Sequence, residues 1–468
     1  MPLSPITIRY PLRPVRRSLW TNQVLDMFGL EDEEGPYTVA EEVSLDIQPR
    51  DIVLLTGGSG SGKSSLLRAV GKQLGAIDAW GVDLPSVPLI EAVPGATLAE
   101  RLEWFSGCGL AEARLLLRCP EELSEGQRYR FRLALALCRA IEQARSAGRE
   151  AWLMADEFTA TLDRISARVV AYNLAKLSRR QQVGLLLATT HEDVSEDLQP
   201  DLLVQCEAGG VLRVERRRGQ RRRHISFAPQ LWLSDGTVRD WPYFARWHYR
   251  SHHLGCVRRV TLLWHGQRPI GICVFSAPAA SLRWRNRYFG LHQPRSRLTL
   301  QALNAQLWWL QRIVLHPDYR GAGIAAAFVR RACQLCPVDW IETLSALGHA
   351  AGAFFEKAGF LRIGVVQHSR RSDAAAVYGR RARLRAESRR KSRFSYPLYY
   401  LFDNRRRPED PPSSSPNPAS GTCSTPLSLP TAATPGDDPE SPLVPPSRTD
   451  SSEAKASNAG FSEIDSSE

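Results

Sequence analysis

The N-terminal part of the chain alternates short apolar runs with helical stretches. Val53-Leu54-Leu55 precedes a glycine-rich loop, and Ser64-Ser65-Leu66-Leu67-Arg68 opens a helix after it. Ala151 to Ala155 and Gly184 to Thr190 read as further strands, apolar throughout and so buried on both faces. This alternation predicts an α/β region with a mainly parallel sheet over residues 1–212. A basic segment at 213–224 reads as a strand end running into a linker. A second folded region follows at 225–403, with aromatic-rich strands at Val260–Trp264 and Ile270–Phe275. It continues with a long strand at Leu307–Leu315 and a helix from Ile324 to Cys333. From 404 to 468 Pro, Ser, Thr, Asp and Glu dominate. So little apolar surface cannot offset the entropy of ordering, and a disordered tail is expected there.

Length and composition fit this division. A chain of 468 residues exceeds one ordinary core, so two domains are the default. No run reaches the length of about 18 apolar residues that a membrane span needs, and the N-terminus lacks a signal-peptide pattern. The chain is therefore expected to be cytoplasmic, without a membrane domain. The nine cysteines hold a single Cys-x-x-Cys, Cys333 and Cys336, with no second pair, which favours buried thiols over a metal site. The net charge of +12 comes mainly from arginine, in blocks at 216–218, 221–223, 380–393 and 405–407. Guanidinium binds phosphate bidentately, so these blocks suit a nucleic acid as well as a merely solvated linker.

The glycine-rich loop carries the most specific chemistry. Gly57-Gly58-Ser59-Gly60-Ser61-Gly62-Lys63-Ser64, followed by Ser65, fits G-x-x-x-x-G-K-S between a strand and a helix. Such a loop turns backbone N–H groups onto the phosphates of ATP, while Lys63 reaches the β and γ phosphates and the Ser64 hydroxyl ligates Mg2+. Asp156, ending the strand at 152–155, would hold Mg2+ through water, and Glu157 would polarise the attacking water. His191, after the next strand, can reach the γ-phosphate. Between these stands Leu123-Ser124-Glu125-Gly126-Gln127, and Thr159-Ala-Thr-Leu-Asp163 follows Glu157.

These five stretches together resemble the ABC-type ATPases, the last two matching their signature motif and D-loop. The resemblance implies a P-loop NTPase fold and an ATP-dependent homodimer, with Ser124, Gly126 and Gln127 of one protomer completing the site of the other. Two departures stand out. Glu91 occupies the region where the family carries its Q-loop glutamine, and the adenine-stacking aromatic has only Tyr37 as a candidate. Without a membrane domain, the resemblance points to the soluble members, which act on nucleic acids or ribosomes.

A second small-residue turn, Arg320-Gly321-Ala322-Gly323-Ile324-Ala325, follows the strand at 307–315 and opens a helix. It lacks the Lys-Ser end of the first loop but offers consecutive backbone N–H groups, which suits a pyrophosphate without metal. With its lead-in Val314-Leu-His-Pro317-x-Tyr319 it resembles motif A of the GNAT acyltransferases, and Ala353 to Phe360 resembles a later stretch of that family. The resemblance implies an α+β acyltransferase domain and acetyl-CoA, or another acyl-CoA, as the group donor. Where many members carry a tyrosine as general acid, this chain has Phe354 and Phe355. Tyr249, His248, Glu342 and His349 remain as candidates. Gly348 to Gly364, with Trp247-His-Tyr249 and Ile270 to Pro278, is also similar to the Mom family of DNA-modifying proteins. Three functions follow as expectations: ATP-gated acyl transfer to a nucleic-acid or nucleic-acid-associated acceptor, Mom-like base modification, or a non-catalytic ATP-switched clamp.

Overall fold

The computed structural model describes residues 3–11, 15–30, 36–207 (except 96, 148 and 149), 210–217, 224–248, 253–291 (except 280), 296–345, 353–366, 397–405 and 425–427. Among the described residues no helix is long and apolar enough to cross a membrane.

The chain opens on a two-stranded antiparallel ribbon of β1 (Ile6–Pro11) and β2 (Pro36–Val43), with α1 (Leu19–Phe28) between them. A six-stranded sheet follows, in the order β4-β5-β6-β3-β7-β8. Its strands are β3 (Ile52–Thr56), β4 (Ile77–Asp78), β5 (Trp152–Ala155), β6 (Gly184–Ala188), β7 (Leu202–Cys206) and β8 (Leu212–Arg216). All pair in parallel except β8, which runs antiparallel to β7. The apolar runs read from the sequence are its central strands, and every residue of β3, β5 and β6 is buried, as a sheet covered on both faces requires. Its helices are α2 (Lys63–Leu74), α3 (Leu89–Ala92), α4 (Leu98–Gly107), α5 (Glu125–Ala147), α6 (Arg164–Gln181) and α7 (Ser195–Leu198).

The C-terminal part is an eight-stranded sheet in the order β14-β15-β13-β12-β11-β10-β9-β16. These are β9 (Leu231–Gly236), β10 (Val257–His265), β11 (Arg268–Ser276), β12 (Leu307–Leu315), β13 (Trp340–Ser345), β14 (Leu361–Val365), β15 (Leu398–Asp403) and β16 (Thr425–Pro426). Among the described residues only β12 and β13 pair in parallel, from Leu307↔Trp340 to Trp309↔Glu342. Its helices are α8 (Trp241–Ala245), α9 (Arg283–Tyr288), α10 (Arg297–Gln306), α11 (Ala325–Gln334) and α12 (Ala353–Lys357). The helices α9 and α10 were not legible as pattern in the sequence, because the first is polar and no residue of the second is buried. Thr425–Pro426 departs from the expected disorder: it pairs with Leu233 and Trp232 of β9, and Leu427 beside it is buried. Asn404, at the expected start of the tail, is likewise ordered: it is buried, and its amide donates to the carbonyls of Cys336 at 3.0 Å and Val338 at 2.9 Å. Apart from Asn404, Arg405 and 425–427, the tail lies outside the described residues, as do the arginines at 218, 221–223, 380–393, 406 and 407.

One helix belongs to both halves. Ala167, Val170, Ala171, Leu174, Ala175 and Leu177 of α6 sit in the N-terminal core. From another side of α6, Val169, with Ile165 and Tyr172 packed against it, joins Phe227, Tyr319 and Ile324 in the C-terminal core. A helix apolar on more than one side is buried on more than one side. The seam is closed by Asp197, whose carboxylate accepts from the Ser226 N–H and Ser226 hydroxyl, both at 2.7 Å.

Candidate functional site

The loop from Gly57 to Gly62 leaves β3 and enters α2 with Gly57, Gly60 and Gly62 at φ 138°, 79° and 86°. A Cβ at Gly57 would run into the carbonyl oxygen of Cys206, and one at Gly62 into Val39, so these positions admit no side chain. Lys63 is buried, and its ammonium donates to the carbonyl of Gly58 at 2.5 Å and to the Ser61 hydroxyl at 3.5 Å. It is thus folded over the loop that its charge would serve. The side chain of Ser65 meets Tyr10 at 2.8 Å between hydroxyls, and Tyr10 is the cross-strand partner of Tyr37. Tyr10 is a residue the sequence reading missed: it stands on β1, remote in sequence from the loop and in no motif.

Asp156 and Glu157 follow β5 as expected. One carboxylate oxygen of Asp156, Oδ1, is buried without a hydrogen-bond partner among the described residues, while Oδ2 lies 3.8 Å from Arg68. A buried anionic oxygen with no donor suits a hydrated cation, so Asp156 with Ser64 fits Mg2+, whose chemistry here would be to neutralise phosphate charge. Glu157 is exposed and holds a left-handed backbone at φ 48°, uncommon outside glycine. His191 follows β6, and its Nδ1 lies 2.6 Å from Arg164 at the start of α6. Asp163 caps that helix by accepting from the N–H groups of Ile165 and Ser166, both at 3.0 Å.

Ser124 and Gln127 form a reciprocal cap on α5. The Ser124 N–H donates to Oε1 of Gln127 at 3.1 Å, and the Gln127 N–H to the Ser124 hydroxyl at 3.4 Å. Ser124 is exposed, and a Cβ on Gly126 would press on the carbonyl of Thr161 at 3.0 Å. Glu91 lies exposed on the one-turn α3.

The second turn is built differently. After β12 and a short 3-10 segment at Pro317–Tyr319, Gly321 and Gly323 take φ 89° and 78° and remain exposed, while Ala322 and Ile324 are buried beneath them. Helix α11 begins at Ala325 with no side-chain cap, which leaves its first N–H groups for another partner. This donor set, without lysine or carboxylate, fits a metal-free pyrophosphate such as that of acyl-CoA. Arg320 turns away from it: the guanidinium donates to the carbonyls of Leu315 at 3.0 Å, Ala111 at 2.8 Å and Trp247 at 3.5 Å. His316 is buried against Trp247 and Arg268, and burial followed by the charges of Arg268, Arg320 and Arg246 pulls its pKa down to about 4. It is a neutral packing group.

Of the candidate acyltransferase residues, Tyr249 and His349 lie outside the described residues. The ring of His248 packs edge-on against Trp241. Phe355 is core, stacked on Tyr400 at 5.0 Å. Glu342 is fully buried at the end of the parallel β12–β13 ladder, just before Thr343, whose hydroxyl donates to the Leu310 carbonyl at 3.0 Å. It accepts from Arg285 at 2.8 Å and from the Tyr399 hydroxyl at 2.9 Å. Burial raises its pKa to about 6, against the lowering effects of Arg285 and Tyr399. Burial and the neighbouring Glu342 hold the Tyr399 phenol protonated far above the usual range. Tyr399 lines a cavity of about 350 Å³ together with Leu282, Arg283, Trp284, Gly364, Val365 and Val366. Neither Arg285 nor Tyr399 was singled out from the sequence. Arg285 sits in an arginine-rich stretch that reads as solvated, and Tyr399 in an apolar strand.

Cys333 and Cys336 are buried, their thiols pushed up by burial, and no group of three or more His, Cys, Asp or Glu side chains placed to hold a metal ion exists among the described residues.

Comparison with known proteins separates the same two halves. The model of the Acetyltransferase (GNAT) family matches residues 226–360. The lipoprotein-releasing system ATP-binding protein LolD of Novosphingobium aromaticivorans is 31% identical over 211 residues, which cover 36% of this chain and 88% of the relative. The aliphatic sulfonates import ATP-binding protein SsuB 3 of Paraburkholderia xenovorans is 32% identical over 194 residues, covering 38% of this chain and 74% of the relative. Among solved structures, the dimeric MJ0796, a bacterial ABC transporter cassette, aligns with a TM-score of 0.34 at 19% identity, covering 47% of this chain and 99% of its own.

Proposed function

The chain belongs to the ABC ATPases and carries a GNAT acetyltransferase domain, and on that premise we propose that ATP-dependent closure of two copies governs acyl transfer from acyl-CoA to a nucleic acid or a nucleic-acid-bound amine. The observation that carries the coupling is α6. It leaves the D-loop, touches His191 through Arg164, and buries its other side beneath the second phosphate turn. A change at the nucleotide therefore has a rigid element through which to act. Ser124, Gly126 and Gln127 make no hydrogen bond to the loop at 57–64 among the described residues, which leaves them for the loop of a second copy.

The transfer step falls to Tyr399 and Glu342. The acceptor nitrogen attacks the thioester carbonyl, so a C–N bond forms and the C–S bond breaks. Tyr399 takes the excess proton from that nitrogen while passing its own to Glu342. The proton then returns along the same pair to the departing thiolate, leaving both residues as they began. For the acceptor, the net charge of +12 favours a polyanion, and Arg246, held 4.5 Å from the ring centres of both Tyr243 and Trp247, forms a basic and aromatic platform.

The test uses radiolabelled acetyl-CoA with nucleic acid and the full chain, with and without ATP, at increasing salt. Label should transfer only with ATP, and nucleic-acid binding should weaken steeply as salt rises. Transfer indifferent to ATP would remove the gating. Binding flat in salt would remove the nucleic-acid acceptor.

A further inference from the structure

We propose that the acyl-CoA site is composite: Asn173, on α6 of the ATPase half, completes the pyrophosphate turn of the acetyltransferase half. The inference rests on reading the turn at 320–325 as an acyl-CoA site.

Asn173 is 5% exposed, and its Nδ2 has no hydrogen-bond partner among the described residues. It is aimed at the turn: a Cβ on Gly321 would lie 2.5 Å from that nitrogen, and 3.3 Å from the carbonyl of Ser106 beside it. A buried amide donor left without an acceptor is costly, so such a group calls for an explanation. The helix does not explain it. Asparagine is a poor helix former, and Ala171, Leu174 and Ala175 around it show that an apolar residue would suit the interior better.

What the position does have in reach is a small-residue turn at the start of a ten-residue helix that begins without a side-chain cap, the pattern that holds phosphate. A phosphate seated there brings the acceptor oxygens that Nδ2 lacks. The one cation of the turn, Arg320, is committed to three backbone carbonyls, of which Ala111 belongs to the ATPase half. A neutral amide with a free donor is thus the side chain that the neighbouring domain contributes. Tyr172 flanks it, its hydroxyl 3.5 Å from where a Cβ on Gly323 would stand.

The experiment is calorimetry on the full chain with three ligands: CoA, pantetheine, which has no pyrophosphate, and ATP. Asn173→Ala should weaken CoA by about tenfold or more, as losing a donor to a charged acceptor does. Asn173→Asp should weaken it further, because it sets a negative charge at the phosphate. Pantetheine and ATP affinities should match wild type, which also certifies the fold. If Asn173→Ala does not fold, Asn173→Ser serves in its place. It keeps a hydroxyl donor on a shorter side chain, and should retain part of the CoA affinity while Asn173→Asp retains none of it. Wild-type CoA affinity in these variants overturns the proposal, as does equal weakening of pantetheine. Absence of CoA binding in the wild type is a distinct result, which overturns the acetyltransferase reading itself and this inference with it.

Discussion

The two turns proposed to hold phosphate share a backbone device while differing in everything attached to it. Both use left-handed glycines to turn N–H groups inward at a helix start. The first is closed in: Gly57 abuts the Cys206 carbonyl, Gly62 abuts Val39, and a buried lysine, a serine hydroxyl and an orphaned aspartate oxygen surround it. The second is open at Gly323, its glycines exposed and its arginine spent on carbonyls, although a Cβ at Gly321 would meet the Asn173 amide. Charged side chains and a metal suit a triphosphate that must be cleaved. Bare backbone suits a phosphate that is only a handle, held while chemistry occurs at the far end of the ligand. On the proposed reading, the difference lies between a site that reacts and a site that anchors.

The strongest attack on this comparison is Glu157→Gln. Hydrolysis of ATP, followed as phosphate release, should fall by about 10²–10⁴-fold, the usual cost of removing a general base, while CoA binding by calorimetry stays at the wild-type level. Equal loss at both sites would mean that the second turn is no separate anchor.

Next comes Tyr399→Phe, which should lower acyl transfer by about 10²-fold with little change in the KM for acyl-CoA. Wild-type transfer should climb as pH rises through about 6, because Glu342 must be ionised to accept the proton. A profile flat across that range would remove Glu342 from the step. Stability runs the opposite way. A carboxyl whose folded pKa is raised from 4.5 to about 6 stabilises fully below the lower value, and that contribution is lost as pH climbs through the higher one. Denaturant midpoints should therefore drop between those values in wild type, and the drop should vanish in Glu342→Gln.

The smallest effect is at the glycines. Gly323→Ala costs only the left-handed strain, about 1–2 kcal/mol, because its nearest neighbour would be the Tyr172 hydroxyl at 3.5 Å. Gly57→Ala meets immovable backbone and should cost more, with ATP binding lost. Thermal denaturation of the two variants side by side reads the difference, and equal costs would contradict the closed and open descriptions.

Both turns were legible in the sequence because each is contiguous: strand, small residues and helix fall within one short stretch. The same holds for Asp156, Glu157 and the stretch from Leu123 to Gln127. The Glu342 cluster was only partly legible. Its arginine and its tyrosine each lie 57 residues away along the chain, one on a polar helix and one on an apolar strand next to the sheet edge. No local pattern links residues that meet only through sheet order. Tyr10 was hidden for the same reason, since its place beside Ser65 depends on how β1 pairs with β2. Phe355, where many GNAT members carry a tyrosine, faces Tyr400 in the core, a packing role that only the fold reveals.

The double burial of α6 bears on how the protein can be taken apart. The sequence suggests a cut near the basic linker, and two half-proteins to be expressed separately. Such a cut would bare Ile165, Val169 and Tyr172 on one fragment and their partners around Phe227 and Tyr319 on the other, and would strand Asp197 without Ser226. Exposed apolar patches of that kind invite aggregation. The two activities are therefore products of one cooperative melting unit, with a single calorimetric transition expected where two catalytic names would suggest a pair.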